Sequence, residues 1–284
     1  MHILVTGSNG QLGSELKELA PKYKEHSFVF TDIDELDITS KKAINSFFKS
    51  DKFDLLINCA AFTAVDKCET EKKAARRLNV LAVRNLAIAC ADNDMSIIHI
   101  STDYVYDGNH YMPYKESDFT NPESYYGITK LEGEEVVDEF AKNGVIIRTS
   151  WLYSSFGSNF VKTILKHANA KDELKVVYDQ IGTPTYAHDL AVVILDNVKK
   201  LKNIDGIELF NFSNEGVSSW YDFAKEIVDI KGIDCIITPI ETKDYPLPAA
   251  RPKYSILNKS KIKEQLDSAI PYWKDSLKVC LNKL

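Results

Sequence analysis

Cysteine is scarce in this chain of 284 residues: the five are Cys59, Cys68, Cys90, Cys235 and Cys280, an odd number with no CxxC spacing. That excludes a disulfide framework and gives no zinc pattern, so the thiols read as small buried hydrophobes. No apolar run approaches the roughly 18 residues a membrane span needs. The opening MHILVTGSNG has no basic stretch ahead of an apolar core. A soluble, cytoplasmic protein without a membrane partner is expected. No block of like charges occurs either, and 35 basic against 41 acidic residues leave a net charge of −6. Basic residues this scattered build no polyanion-binding face, which excludes nucleic acid as the expected partner. The six histidines are dispersed, with no HxxxH or HExxH, and suggest no metal site. Repeats and low-complexity tracts are lacking too.

What is present is alternation. Strand-like runs (HILVT, SFVFTD, DLLINCA, SIIHIS, VIIRTS) alternate with helix-like segments (QLGSELKELA, KAINSFFKS, and the long ARRLNVLAVRNLAIACADN), the pattern of βαβ units and a parallel sheet. The strands are apolar almost continuously, as expected when helices cover both faces. The expected class is α/β with a doubly wound parallel sheet of the Rossmann type. After about residue 150 the texture turns aromatic, polar and Pro-rich, as in SWLYSSFGSN and PIETKDYPLPAARPKYS. AHDLAVVILDNVKKL and ELFNFS read as a helix and strand that return to the first lobe. The expected division is a dinucleotide-binding domain over 1–150 plus about 186–213, and a smaller discontinuous substrate lobe over about 151–185 plus 214–284.

Gly7, Gly10 and Gly13 stand in G-S-N-G-Q-L-G, directly after the strand ILVT and before an amphipathic helix. Such a loop admits the backbone close to a pyrophosphate and aims helix N-terminal N–H groups at it. The second strand ends at Asp32, where a carboxylate accepts from the adenosine ribose and repels a 2′-phosphate. NADH is therefore slightly favoured over NADPH, with Asp34 and Asp37 as alternatives to Asp32.

Tyr126 and Lys130, in S-Y-Y-G-I-T-K, are four residues apart on one helix face. Thr102 lies 24 residues before Tyr126, at the end of another predicted strand, where open parallel sheets place ligands. A phenol of pKa about 10 needs about 4 kcal/mol to titrate near neutrality, and a cation about 4 Å away supplies roughly that. Lys130 is the expected cation, Tyr126 the proton donor, and Thr102 the hydroxyl that holds a substrate carbonyl.

With glycine loop, STDYVYDG and SYYGITKLEGE in order, the chain resembles the extended short-chain dehydrogenase/reductases. NCAAFTAVDKCE, RTSWLY, SNFVKTIL, DQIGTPTYAHDLA and PAARPKYSILN extend the resemblance over nearly the whole length. They point to members that reduce a 4-keto group on a nucleotide-linked 6-deoxyhexose. The resemblance implies that Gly10, Gln11 and Leu12 line the pyrophosphate and that Asp37 and Ile38 lie near the adenine. It places Ala61, Phe62, Thr63 and Ile100 beside the cofactor, with Tyr126 and Lys130 at its nicotinamide ribose. For the substrate it implies Thr102 and Asp103 at the hexose and Trp151 as an aromatic wall. Arg251, in PAARPK, reads either as a guanidinium for the diphosphate or as an exposed loop charge. Asn159 reads as a substrate contact or a helix cap. Some members bind magnesium at a dimer interface, so a homodimer is allowed by the resemblance. Glu15 matches one such position, but the acidic match is shifted around His188 and Asp189 and SLKVCLNKL offers no clear carboxylate. No metal is expected.

Two other readings share the motifs. A nucleotide-sugar 4,6-dehydratase or epimerase has the same Tyr/Lys pair, but dehydratases carry Asp-Glu after the Thr, and here Tyr104 follows Asp103. A non-catalytic dinucleotide-binding regulatory subunit would have no need of Thr102, Tyr126 and Lys130 together.

Overall fold

The computed structural model describes residues 1–284. The first half runs β1 (His2–Thr6), α1 (Gln11–Leu19), β2 (Ser27–Thr31), α2 (Lys41–Ser50), β3 (Leu55–Asn58), α3 (Val65–Thr70), α4 (Lys72–Arg76), α5 (Val83–Asp92), β4 (Ser96–Thr102), α6 (Tyr125–Phe140) and β5 (Gly144–Thr149). There follow β6 (Leu152–Tyr153), α7 (Phe160–Ala168), β7 (Glu173–Val177), β8 (Ile181–Gly182), β9 (Thr185–Tyr186), α8 (Ala187–Asp196), α9 (Val198–Lys202) and β10 (Ile207–Phe212). The chain closes with β11 (Ser218–Ser219), α10 (Trp220–Lys231), β12 (Ile236–Ile240), α11 (Ser260–Leu266) and α12 (Trp273–Leu281).

Six strands form one parallel sheet in the order β10-β5-β4-β3-β1-β2. From β1 the chain steps outward to β2 and then back past β1 to β3. Strand order reverses there, and the carboxyl ends of β1 and β3 open the crevice such sheets offer to ligands. β3 and β5 are buried at every residue. The reason is two apolar layers: α1 and α8 pack one face, with Leu16, Leu190 and Phe210 fully buried, and α2, α5 and α6 cover the other, with Ile44, Leu86 and Val137 equally buried. A third core lies around α7, α10, α12 and the parallel pair β7–β12, centred on Phe223 and Trp273. Ile262 and Leu266 of α11 pack back against the first layer.

Local signals explain the elements that position the site. Leu12, Leu16 and Leu19 recur on the buried stripe of α1. Ser124 accepts from the Gly127 N–H at 3.1 Å and starts α6. Ser219 and Asp222 form a capping box on α10, which ends at Gly232 with φ 62°. The long helix expected over 75–93 is instead interrupted by a π-turn over Arg77–Ala82. The wider turn places Asn79 where its side chain bonds both backbone groups of Phe62 and the Thr129 hydroxyl, a trade that π-bulges make near sites. No helix is long and apolar enough to cross a membrane.

Candidate active site

Between β1 and α1 the backbone turns at Gly7, whose φ is +68°. A Cβ there would lie 2.6 Å from the Ala60 nitrogen, and one on Gly13 would meet Ser8 Cα at 2.6 Å. Glycine is thus required for the close approach of the loop to the turn after β3 and of α1 to the loop. Gly10 donates its N–H to the Gly7 carbonyl at 3.1 Å and caps α1, which leaves the N-terminus of that helix facing the crevice. Two cavities meet at the loop.

The one over β1 and β2, about 430 Å³, is lined by Gly7, Asn9, Asp32, Ile38 and Ala61 among others. Asp32 accepts from the Asn9 and Ile33 N–H groups at 3.0 and 2.9 Å, so its carboxylate is fixed at the wall. Asp37 does not line the cavity. Its carboxylate accepts from the Thr39 N–H and hydroxyl at 2.9 and 2.6 Å, and the hydroxyl contact holds it below the usual range. Asp34 is exposed and is not among the lining residues.

The other cavity, about 590 Å³, holds Gly10, Gln11, Leu12, Gly13, Ala61, Thr63, Ile100, Thr102, Asp103, Tyr126, Lys130 and Trp151 in its wall. The structure thereby brings together residues drawn from five separate segments of the sequence. Phe62 is not in the wall, and its ring packs behind Tyr126 with Cys68 and Ala75. Gln11 donates to the Leu152 carbonyl and accepts from Asn159 at 3.0 Å. Asn159 both lines the cavity and caps α7, accepting from the Lys162 N–H at 3.1 Å.

Thr102 ends β4, and its hydroxyl lies 3.0 Å from Asp103 Oδ1. Tyr126 and Lys130 come from successive turns of α6 and are both buried. Burial pushes the Tyr126 phenol above its ordinary value, against a hydroxyl contact with Thr102 that pulls it down. The Lys130 side chain donates to the Ile100 carbonyl at 2.6 Å and meets His99 Nε2 at 3.2 Å, and burial pushes its pKa down to about 8. Asp103 is buried with one carboxylate oxygen unpartnered, and burial raises it to about 7. Thr149 contributes a second unpartnered buried oxygen to the same wall. Tyr104 stacks edge-on against Tyr126 at 5.5 Å and brings no carboxylate.

The far wall is aromatic. Trp151, at φ +47°, stacks on Trp220 with centroids 3.6 Å apart and planes 7° from parallel. Trp220 belongs also to a third cavity, about 750 Å³, together with Phe160, Gln180, Tyr245 and Arg251. Arg251 is paired with Asp66 at 2.8 Å and donates to the Ala249 carbonyl. Sequence reasoning missed Trp220, Thr149 and the pair Asn58 and His99. The only available signal was His99 lying three residues before Thr102 on the same strand. No group of three or more His, Cys, Asp or Glu side chains is placed to hold a metal ion. Glu15 is buried, takes a 2.6 Å bond from Ser154, and is raised by that burial.

The glycine loop, its helix N-terminus and the two adjoining cavities fit a dinucleotide: a side chain at Gly7 would occupy backbone space, and the orphaned oxygens of Asp103 and Thr149 await polar partners. Comparison with known proteins agrees. The profile of the family described as RmlD substrate binding domain matches residues 1–284. A dTDP-4-dehydrorhamnose reductase from Aggregatibacter actinomycetemcomitans is 38% identical, with 97% of each chain covered. The crystal structure of a dTDP-4-dehydrorhamnose reductase from Clostridium acetobutylicum is 45% identical over 99% of both chains, with a TM-score of 0.94. One from Bacillus anthracis, solved in complex with NADP, is 34% identical over 100% of this chain and 99% of that one, also at 0.94. The family profile spans the whole chain and the fold coincides over 99% of it, and the chain belongs to the RmlD substrate binding domain family, that of the dTDP-4-dehydrorhamnose reductases.

Proposed function

We propose that the protein reduces the 4-keto group of a nucleotide-linked 4-keto-6-deoxyhexose, converting dTDP-4-dehydro-L-rhamnose to dTDP-L-rhamnose in the cytoplasm with NADH or NADPH. The observation that carries this reading is Thr102, Tyr126 and Lys130 in one wall of the cavity that begins at the glycine loop. Gly10, Gln11, Leu12 and Gly13 hold the pyrophosphate, Asp32 and Ile38 the adenosine end, and Ala61, Thr63 and Ile100 the path between. Bound there, a reduced nicotinamide supplies the hydride.

The chain's own residues do the rest. Thr102 donates to the ketone oxygen and orients the carbon for attack. As negative charge grows on that oxygen, the Tyr126 hydroxyl gives its proton, and the O–H of the product forms as the phenolic O–H breaks. The phenolate left behind is stabilised by the Lys130 cation. Asp103, kept close to neutral by burial, turns its own O–H to Thr102 Oγ1, which leaves the single Thr102 O–H for the ketone. Tyr104 in place of a second carboxylate leaves no acid/base pair for elimination of water, which favours the reductase over a 4,6-dehydratase.

The lobe of about 151–185 and 214–284 supplies the sugar-nucleotide side. Trp151 backed by Trp220 forms an apolar wall for the deoxyhexose. The cavity beyond Trp220 receives the nucleotide, with Arg251 at its diphosphate. Asp32 favours NADH over NADPH; fluorescence titration should show tighter NADH binding, and Asp32→Ala should narrow the gap. Equal affinities in the unaltered protein would remove Asp32 from that role.

The test of the reaction is direct. With a dTDP-4-keto-6-deoxyhexose and reduced nicotinamide, about one cofactor is oxidised per sugar and a 4-hydroxy product appears. With dTDP-glucose and NAD, nothing happens. A 4-keto-6-deoxy sugar from the second mixture establishes a dehydratase, and inactivity in both, with cofactor bound, favours a regulatory subunit.

A further inference from the structure

Behind Lys130 lies a buried polar chain that the reaction just described does not use. Thr6, at the end of β1, bonds Asn58 Oδ1 at 2.8 Å, and the Ala60 N–H donates to the same oxygen at 3.2 Å. Asn58 Nδ2 lies 3.0 Å from His99 Nδ1, and His99 Nε2 lies 3.2 Å from Lys130 Nζ. Asn58, His99 and Lys130 are all buried.

Counting donors and acceptors settles where the protons sit. A backbone N–H can only donate, so Ala60 fixes the Asn58 amide with Oδ1 toward itself and Nδ2 toward the imidazole. His99 Nδ1 therefore accepts. The ring is held neutral, because burial pushes its pKa well below the ordinary value and Lys130 adds to the effect. A neutral imidazole carries one N–H, which must then be on Nε2, aimed at Lys130 Nζ. An ammonium has three donors and no lone pair; an amine has a lone pair to accept that N–H and still donates to the Ile100 carbonyl. The arrangement is satisfied at every atom with Lys130 as an amine, and sets a donor against a donor with Lys130 as an ammonium.

The other groups around Lys130 do not cancel this. Glu134, one turn on in α6, favours the charged form, but its carboxylate is held by Arg148 of β5 through bonds of 2.6 to 3.2 Å and by Ser101. Cys59, after β3, is kept as the neutral thiol by burial. Tyr126, on α6, is likewise kept protonated.

We propose that Asn58 and His99 are positioning residues for Lys130: they present its nitrogen with a hydrogen-bond donor, so that its proton is weakly held and the charge it brings to the wall it shares with Tyr126 is readily given up. The role in turnover rests on the reductase reading. The tautomer does not.

The first test is therefore spectroscopic, on the unaltered protein: ¹⁵N NMR of its histidines, with the His99 signals assigned by their loss in His99→Phe or by through-bond correlation. A neutral His99 protonated at Nε2 is expected, and protonation at Nδ1 or at both nitrogens overturns the proposal whatever the enzyme reduces. The second test is the pH profile of kcat/KM for ketone reduction, whose alkaline limb reports loss of the Lys130 proton. Asn58→Asp keeps an acceptor for Ala60 but turns His99 to the Nδ1–H form, and the limb moves to higher pH. His99→Phe removes the donor and moves it the same way. A limb that stays in place while kcat falls means a structural role alone, and one that moves down in His99→Phe means that His99 accepts from an ammonium; either outcome overturns the proposal. If His99→Phe fails to fold, the NMR result and Asn58→Asp decide.

Discussion

Tyr126 and Asp103 are both titratable, both buried and both in the wall of one cavity, yet burial acts on them to different ends. In Tyr126 it keeps the proton on the phenol until a charged oxygen draws it away. Replacing Tyr126 with Phe should cut kcat by roughly 10²–10⁴ while cofactor affinity stays nearly unchanged; steady-state kinetics beside a binding titration checks it, and wild-type turnover would end the assignment. In Asp103 burial raises the pKa from 3.8 to about 7. Between those values the folded protein holds a proton that the unfolded chain has released. Stability from this group is thus greatest at acid pH and is lost as pH rises toward 7, by up to about 4 kcal/mol. Urea midpoints from about pH 4 to about pH 8 should fall in the unaltered protein and fall less in Asp103→Asn. Residues such as Thr102 and Lys130 were legible because their spacing and position at a strand end carry the chemistry. Trp220 and His99 were not, because what matters in each is a neighbour distant in sequence: Trp151 in one case, Lys130 in the other.

At the scale of elements, α6 carries most of the site and is itself held at its first turn by one hydroxyl. Ser124→Ala leaves the Gly127 N–H without its side-chain acceptor and should cost about 1 kcal/mol, a fall in Tm of about 2–4 °C measurable by calorimetry. Gly127, between the two functional residues, is a sharper case, since a Cβ there would run into the Tyr104 carbonyl and meet Pro122 at 2.9 Å. Gly127→Ala should lift α6 off the loop after β4 and lower kcat as well as stability; an unchanged kcat would show that the helix need not sit so close. The strands of the sheet and the helices beside them were readable from continuous apolar runs alternating with amphipathic ones. The breaks were not. Asn79 and Asn197 look like ordinary helical residues in sequence, and only the backbone groups they bond in the fold explain why regular helix yields at the first and ends before the second.

At the scale of the whole molecule, the aromatic wall faces the sheet across the main cavity. Two of the three tryptophans, Trp151 and Trp220, line that cavity, whereas Trp273 is buried in the core around α10. Binding of a dTDP-sugar should therefore change the intrinsic fluorescence, and Trp273→Phe should preserve the change while Trp151→Phe reduces it. A response that disappears with Trp273 would place binding elsewhere.

The position of β10 bears on how the chain is made. It completes the sheet by pairing Ile207–Phe212 against Gly144–Thr149, and everything from β6 to α9 is synthesised in between. Until Phe212 has left the ribosome, β5 is an uncovered strand with apolar side chains on both faces and open hydrogen-bonding groups along its edge, the kind of edge that recruits other chains. Pairing so remote in sequence is also slow to form. A nascent or truncated chain ending before β10 would thus expose a sticky edge, and ribosome-associated chaperones have their most exacting task on this protein between the emergence of β5 and the arrival of β10.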